Sequence, residues 1–115
     1  MSTDKKLVIP TDNPSLQISP VKLVGHNYLT WSRSCLLFIK DRGLQGYIID
    51  KSSEPELTDS TFSQWDSTNP LVMAWLINSM QTHISKTYLL LDTVKKIWNF
   101  AALTYSRVGN DAQIF

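Results

Sequence analysis

Cysteine is almost missing from this chain: Cys35 stands alone among 115 residues. No intrachain disulfide can form, so the fold must rest on its core. Glycine is nearly as scarce, with four dispersed residues, and neither G-x-x-x-x-G-K-[ST] nor G-x-G-x-x-G occurs, which removes the two common nucleotide-phosphate cradles. With only His26, Cys35 and His83 available, far apart in sequence, the close ligand spacing of a zinc site is absent. Charge of one sign is lacking too. The net charge is +1, and the basic residues occur at most in pairs, Lys5-Lys6 and Lys95-Lys96, so no field favours nucleic acid or an anionic membrane. The longest apolar run, Leu71 to Ile77, is too short to cross a bilayer. The N-terminus has no apolar h-region, Met1-Ser2 lacks the glycine that myristoylation needs, and Pro14 disqualifies Asn13-Pro14-Ser15 as a glycosylation site. These absences set the expectations: no cofactor, no metal, no small-molecule substrate, no membrane, and a cytoplasmic setting.

What is present is the material for one compact domain. Hydrophobic residues make up 43% of the chain and four are tryptophans, each offering a large apolar area. A chain of this size buries about 60–70% of its unfolded surface without help from a metal.

Pro10, Pro14 and Pro20 oppose a helix in the first 25 residues. Leu16, Ile18, Val21 and Leu23 are spaced like a short broken strand, which either lies against the domain's own core or waits for a partner. Gly25 permits a turn, and Asn27 is a good N-cap for a first helix that ends before Gly43. Tyr28, Trp31, Cys35, Phe38 and Ile39 share one face of that helix. Leu44 to Ile49 reads as a short helical turn, and Asp50 to about Ser60 as a polar loop. A second helix begins near Asp59 or Thr61, where Thr61 and Gln64 have the form of a capping box, with Trp65 pointing inward.

Pro70 leaves two readings: a fresh helix capped by Asn69, or one long helix from about Thr61 to Gln81 kinked at the proline. Apolar residues from Leu71 to Met80 cover most of the circumference, which places this helix at the centre of a bundle. A short helix runs from Ile84 to Leu91. Asp92 or Thr93 caps the last helix, whose Val94, Ile97, Trp98, Ala101 and Tyr105 give the cleanest 3.6-residue pattern in the chain. Phe100 and Leu103 lie on its other side and face another helix, another chain or water. The expected fold is all-α: a small bundle of about five helices, residues 26–108, preceded by an extended arm, residues 1–25, with residues 109–115 starting a linker or next helix.

Little here carries chemistry. Cys35 and a histidine make a conceivable nucleophile–base pair, but Cys35 falls on the apolar stripe of the first helix and reads as a small buried side chain. The acidic residues Asp50, Glu54, Glu56 and Asp59 surround a loop, where solvation is the default. Trp31, Trp75 and Trp98 sit on periodic apolar faces without the basic groove of a base-stacking platform, so they read as core.

The ordered landmarks carry a resemblance. Asp12-Asn13-Pro14, Val21-Lys22-Leu23-Val24-Gly25, Asn27-Tyr28-Leu29-Thr30-Trp31-Ser32-Arg33 and Gly43-Leu44-Gln45-Gly46-Tyr47-Ile48 are similar to the N-terminal Gag region of Copia-type LTR retrotransposons. So are Trp65, Trp75-Leu76-Ile77-Asn78-Ser79-Met80, Ile97-Trp98, Tyr105 and the closing Gly109 to Ile114. Pro70 and Val94 depart from the family pattern. Leu23, Gly25, Asn27, Tyr28, Trp31, Gly43, Trp65, Trp75, Trp98 and Tyr105 are the residues that the resemblance marks. It implies a helical capsid-type lobe that self-associates with other Gag chains into virus-like particles packaging the element's RNA. The C-x-x-C-x-x-x-x-H-x-x-x-x-C knuckle that would bind RNA is not in this sequence, so RNA contact is expected only through segments downstream. Two functional readings follow: a non-enzymatic assembly domain, or a domesticated adapter holding a peptide or protein in a helical groove. An enzyme built on Cys35 ranks behind both.

Overall fold

A computed structural model describes residues 17–49 and 54–107. Helix α1 spans Tyr28–Asp41, a single 3-10 turn covers Gln45–Tyr47, and helices α2, α3 and α4 span Phe62–Asn78, Thr82–Tyr88 and Val94–Tyr105. The all-α expectation holds, with four α-helices and the 3-10 turn standing for the five helical segments. Among the described residues no strand forms beyond one isolated parallel bridge, Leu23 to Met80. The segments expected at residues 1–16 and 109–115, including Asp12-Asn13-Pro14 and the Gly109–Ile114 lead, lie outside the described residues.

The helix ends show the local rules at work. α1 stops where Gly43 takes φ +70°. The Gly43 N–H then donates to the Lys40 carbonyl and the Leu44 N–H to the Ile39 carbonyl, each at 3.0 Å, which together form a Schellman motif. α4 starts at Thr93, whose Oγ1 accepts from the Lys96 N–H at 3.1 Å, settling the choice between Asp92 and Thr93. Asp92 instead pairs with Lys96 across one turn at 2.9 Å.

Two expectations need correction, and the open choice at Pro70 falls to the single long helix. Thr61 and Gln64 make no capping box. Thr61 already has helical backbone angles, which point its hydroxyl away from the free N–H groups. Its N–H and Oγ1 both donate to Asp59 Oδ1 at 2.8 Å instead, and these bonds hold the Asp59 carboxyl below its ordinary range. Asn69 does not open a new helix. Pro70 lies inside a continuous α2, on an exposed position where water can serve the carbonyl that its missing N–H leaves unpaired. The short third helix runs Thr82–Tyr88 rather than Ile84 to Leu91; Leu91 follows it, packed against the core.

α2 is the central element and packs against α4 and α3, while α1 packs on the 3-10 turn. Val72, Trp75 and Leu76 of α2 meet Trp31, Cys35 and Ile39 of α1 and Val94, Ile97 and Ala101 of α4 in one core. Ile18 and Leu23 of the arm belong to that same core, so the described part of the arm lies against its own lobe.

Candidate functional site

The residues that the sequence singles out converge mainly where the arm meets the helices. Leu23 has no exposed surface. Its N–H donates to the Ser79 carbonyl at 2.8 Å and its carbonyl accepts from the Gln81 N–H at 3.0 Å. These two bonds seat the arm between the end of α2 and the start of α3. Directly behind, Trp31 donates its Nε1–H to Ser79 Oγ at 2.9 Å, and Ser79 donates onward to the Leu76 carbonyl. Ser79 thus satisfies a buried indole with its hydroxyl and reaches the Leu76 carbonyl with both its hydroxyl and its N–H.

Trp31 also stacks on Trp98 of α4, with ring centroids 5.9 Å apart, and touches Tyr28 at 6.0 Å. Gly25 turns the arm into α1 at φ +112°, with open space where a Cβ would stand except for Tyr105 at ordinary contact distance. Conformation rather than crowding therefore favours glycine there. Asn27 occupies the N-cap position, but its side chain faces backwards. Oδ1 accepts from the Val24 N–H and Nδ2 donates to the Lys22 carbonyl, both at 2.9 Å. It clamps the turn instead of capping the helix. Leu23, Gly25, Asn27, Tyr28, Trp31, Trp98 and Tyr105 thus form one neighbourhood.

Gly43, Trp65 and Trp75 stand apart from it. Trp75 packs edge-on against Phe38, and Arg42 lies over the other side of that pair, 3.6 Å from the Phe38 centroid. Trp65 lines a cleft of about 110 Å³ with Tyr47, Ile49, Asn69 and Thr93. The residue that closes this side is Asn69, which the sequence offered only as a helix cap before Pro70. Its Oδ1 accepts from the Val94 N–H and its Nδ2 donates to the Asp92 carbonyl, both at 3.0 Å.

The arrangement offers structure rather than reactivity. Cys35 is fully buried, and that burial, opposed by a bond to Ser79, pushes its thiol up to about 12. A thiol so placed is inert at neutral pH. Tyr88 is also buried and its hydroxyl finds no hydrogen-bond partner; burial pushes it up to about 12. Among the described residues no cluster of three or more His, Cys, Asp and Glu could hold a metal ion, and no helix is long and apolar enough to cross a membrane.

Fold and site together define a small helical lobe whose described N-terminal segment packs into its own core. Residues 9–56 match the family model described as the Gag-polypeptide of LTR copia-type, so that segment is similar to a Copia-type Gag domain. The match covers the described arm, α1 and the 3-10 turn; Trp65, Trp75, Trp98 and Tyr105 lie beyond it. No curated protein matches, and no solved structure does.

Proposed function

We propose that this lobe is a non-enzymatic building block that self-associates during assembly of a Gag particle. The family match over residues 9–56 carries the reading. Two physical features support it. Two polar side chains inside the lobe, Ser79 and Asn69, are engaged in holding elements together. The exterior meanwhile carries large apolar side chains, among them Leu37, Leu57, Leu90 and Leu103, whose burial against other copies would be favourable. Single contacts in such a shell can be weak, because many act together. The lobe works in the cytoplasm in this reading, its partners are other Gag chains, and no RNA contact is assigned to it. Sedimentation velocity over a wide concentration range tests the proposal. Growth of larger species with concentration is the expected result; a strict monomer at the highest concentrations defeats it.

A second reading has one observation in its favour. Leu23 pairs through its backbone with Ser79 and Gln81, which is how an extended peptide docks on a receptor. A lobe repurposed as an adapter would take a partner's apolar segment in that slot in place of its own. Deleting the residues before Asn27 and titrating a peptide of residues 17–25 distinguishes the two, since an adapter regains stability on binding the peptide and a slot that cannot be refilled does not.

A further inference from the structure

Two outward surfaces of opposite charge remain once the core is accounted for. On α1, Leu29, Arg33, Leu37 and Lys40 fall within about 80° of one another at 3.6 residues per turn. They lie opposite Trp31, Cys35 and Ile39, which enter the core. All four are exposed, and the two leucines keep 46% and 60% of their surface. The stripe is basic, since its two charged residues are Arg33 and Lys40.

The lead into α2 is the reverse. Residues 54–81 contain Glu54, Glu56, Asp59 and Asp66 and no lysine or arginine. All four carboxylates are exposed, and Leu57 stands among them with 79% of its surface open. Asp59 is held in place by both Thr61 donors. The ion pairs Asp41–Arg42 and Asp92–Lys96 involve none of Arg33, Lys40, Glu56 and Asp66.

We infer that the Leu29–Lys40 stripe of one copy docks on the acidic surface around Leu57 of a second copy, head to tail. This rests on the self-association reading above and says which faces meet. Charge selects the pairing, because stripe against stripe would set Arg33 and Lys40 against themselves. The leucines supply burial at the centre of a charged rim, the usual anatomy of an interface. The two surfaces differ, so each docked copy leaves one of each kind open. Such a heterologous contact grows into a ring or an open chain rather than stopping at a two-fold dimer.

Charge exchange in the full chain tests the pairing. Arg33→Glu/Lys40→Glu makes both surfaces acidic, and Glu56→Lys/Asp66→Lys makes both basic. All four positions are exposed, and circular dichroism verifies the fold of each variant. Each variant alone should stay monomeric at concentrations where the unaltered chain is associated. An equimolar mixture should regain the associated species, because the exchanged charges again match. The neutral variant Arg33→Gln/Lys40→Gln should weaken association by about twofold to thirtyfold, the range for two exposed pairs. Raising salt to about 1 M, where the screening length is near 3 Å, should weaken the unaltered chain in the same direction. Association of the reversed variants at the unaltered strength overturns the assigned faces and leaves self-association standing. Loss in both variants without recovery on mixing overturns the pairing. A monomeric unaltered chain overturns both the pairing and the assembly reading.

Discussion

Replacing Asn69 by alanine removes the one side chain that holds the start of α4 to the middle of α2. Both of its bonds to the start of α4 go with it, as does a weak one from Nδ2 to Met73 Sδ within α2. The Val94 N–H loses its acceptor, and Val94 is fully buried. A helix's first N–H groups have no partner within the helix, so this donor is left in a dry site at a cost of about 1–3 kcal/mol. The Asp92 carbonyl loses its donor, but Asp92 is exposed and water can replace most of that bond, leaving about 0.5–1 kcal/mol. The expected loss is therefore about 2–4 kcal/mol, or about 10 °C in melting temperature for a domain of this length.

Thr93→Ala is the matched comparison. It removes the cap on the Lys96 N–H at an exposed site and should cost about 1 kcal/mol. Both variants can be followed by urea unfolding through tryptophan fluorescence, since Trp65, Trp75 and Trp98 surround the affected helices. The urea slope should stay unchanged, so that the midpoint shift reports stability alone. If Asn69→Ala costs no more than Thr93→Ala, the claim that a buried backbone donor depends on Asn69 is wrong.

Other perturbations probe separate parts of the argument. Leu23→Ala empties a fully buried site at the arm's anchor and should cost about 2–5 kcal/mol; an effect below about 1 kcal/mol, typical of surface changes, would mean that the arm does not contribute to the core. Pro70→Ala should raise the melting temperature, because it restores a helical donor at an exposed position inside α2, where an interior proline costs about 3 kcal/mol before the smaller entropic loss is subtracted; a lower melting temperature would show that the proline is favoured where it stands. Gly25→Ala should destabilise by about 1 kcal/mol or more, since φ +112° strains an L-residue, and a neutral result in the same unfolding assay would show that the turn can relax. For pH, the sign follows from the raised thiol. Cys35 ionises near 9.0 when free but near 12 in the fold, so its contribution is complete below pH 9 and is lost as pH climbs toward 12. Cys35→Ala should therefore show a shallower alkaline decline from pH 9 upward, and an identical decline in both proteins would mean that the thiol is not the group responsible.

The parts of the fold that were legible in the sequence are those decided locally. The last helix announced itself because Val94, Ile97 and Ala101 repeat at helical spacing and all three are buried. Gly43 could be placed as a helix stop because only a left-handed backbone serves there. Residues with a choice of partners were harder. Thr61 looked like half of a capping box with Gln64, but Asp59, two positions upstream, took its hydrogen bonds. Asn27 looked like a cap, yet the arm's own N–H and carbonyl groups compete for its amide. Asn69 and Ser79 answer to residues 25 and 48 positions away, a separation that no local pattern encodes. The arm's seat was undecided for the same reason, since spacing says that Ile18 and Leu23 are apolar partners but not whose core they enter.

That seat bears on assembly. An interface pays in ordering whatever its partners have left mobile, so a weak contact works best between surfaces that are already fixed. α1 carries the proposed basic stripe on its outside and is fixed from three directions. Its start is tied to the arm by Asn27, its middle to the end of α2 by Trp31 and Ser79, and its end to the 3-10 turn by the bonds around Gly43. Leu23 closes the same arrangement by joining the arm to both α2 and α3. Loosening the arm should then weaken association even though no arm residue lies in the proposed contact. Leu23→Val trims a single methylene, at about 1 kcal/mol, and leaves every charge in place. It should reduce self-association in proportion to the mobility it gives α1, measured as faster amide exchange along residues 28–41 under conditions where the lobe stays folded. Faster exchange with undiminished association would break the link between the arm's anchor and the outer face of α1.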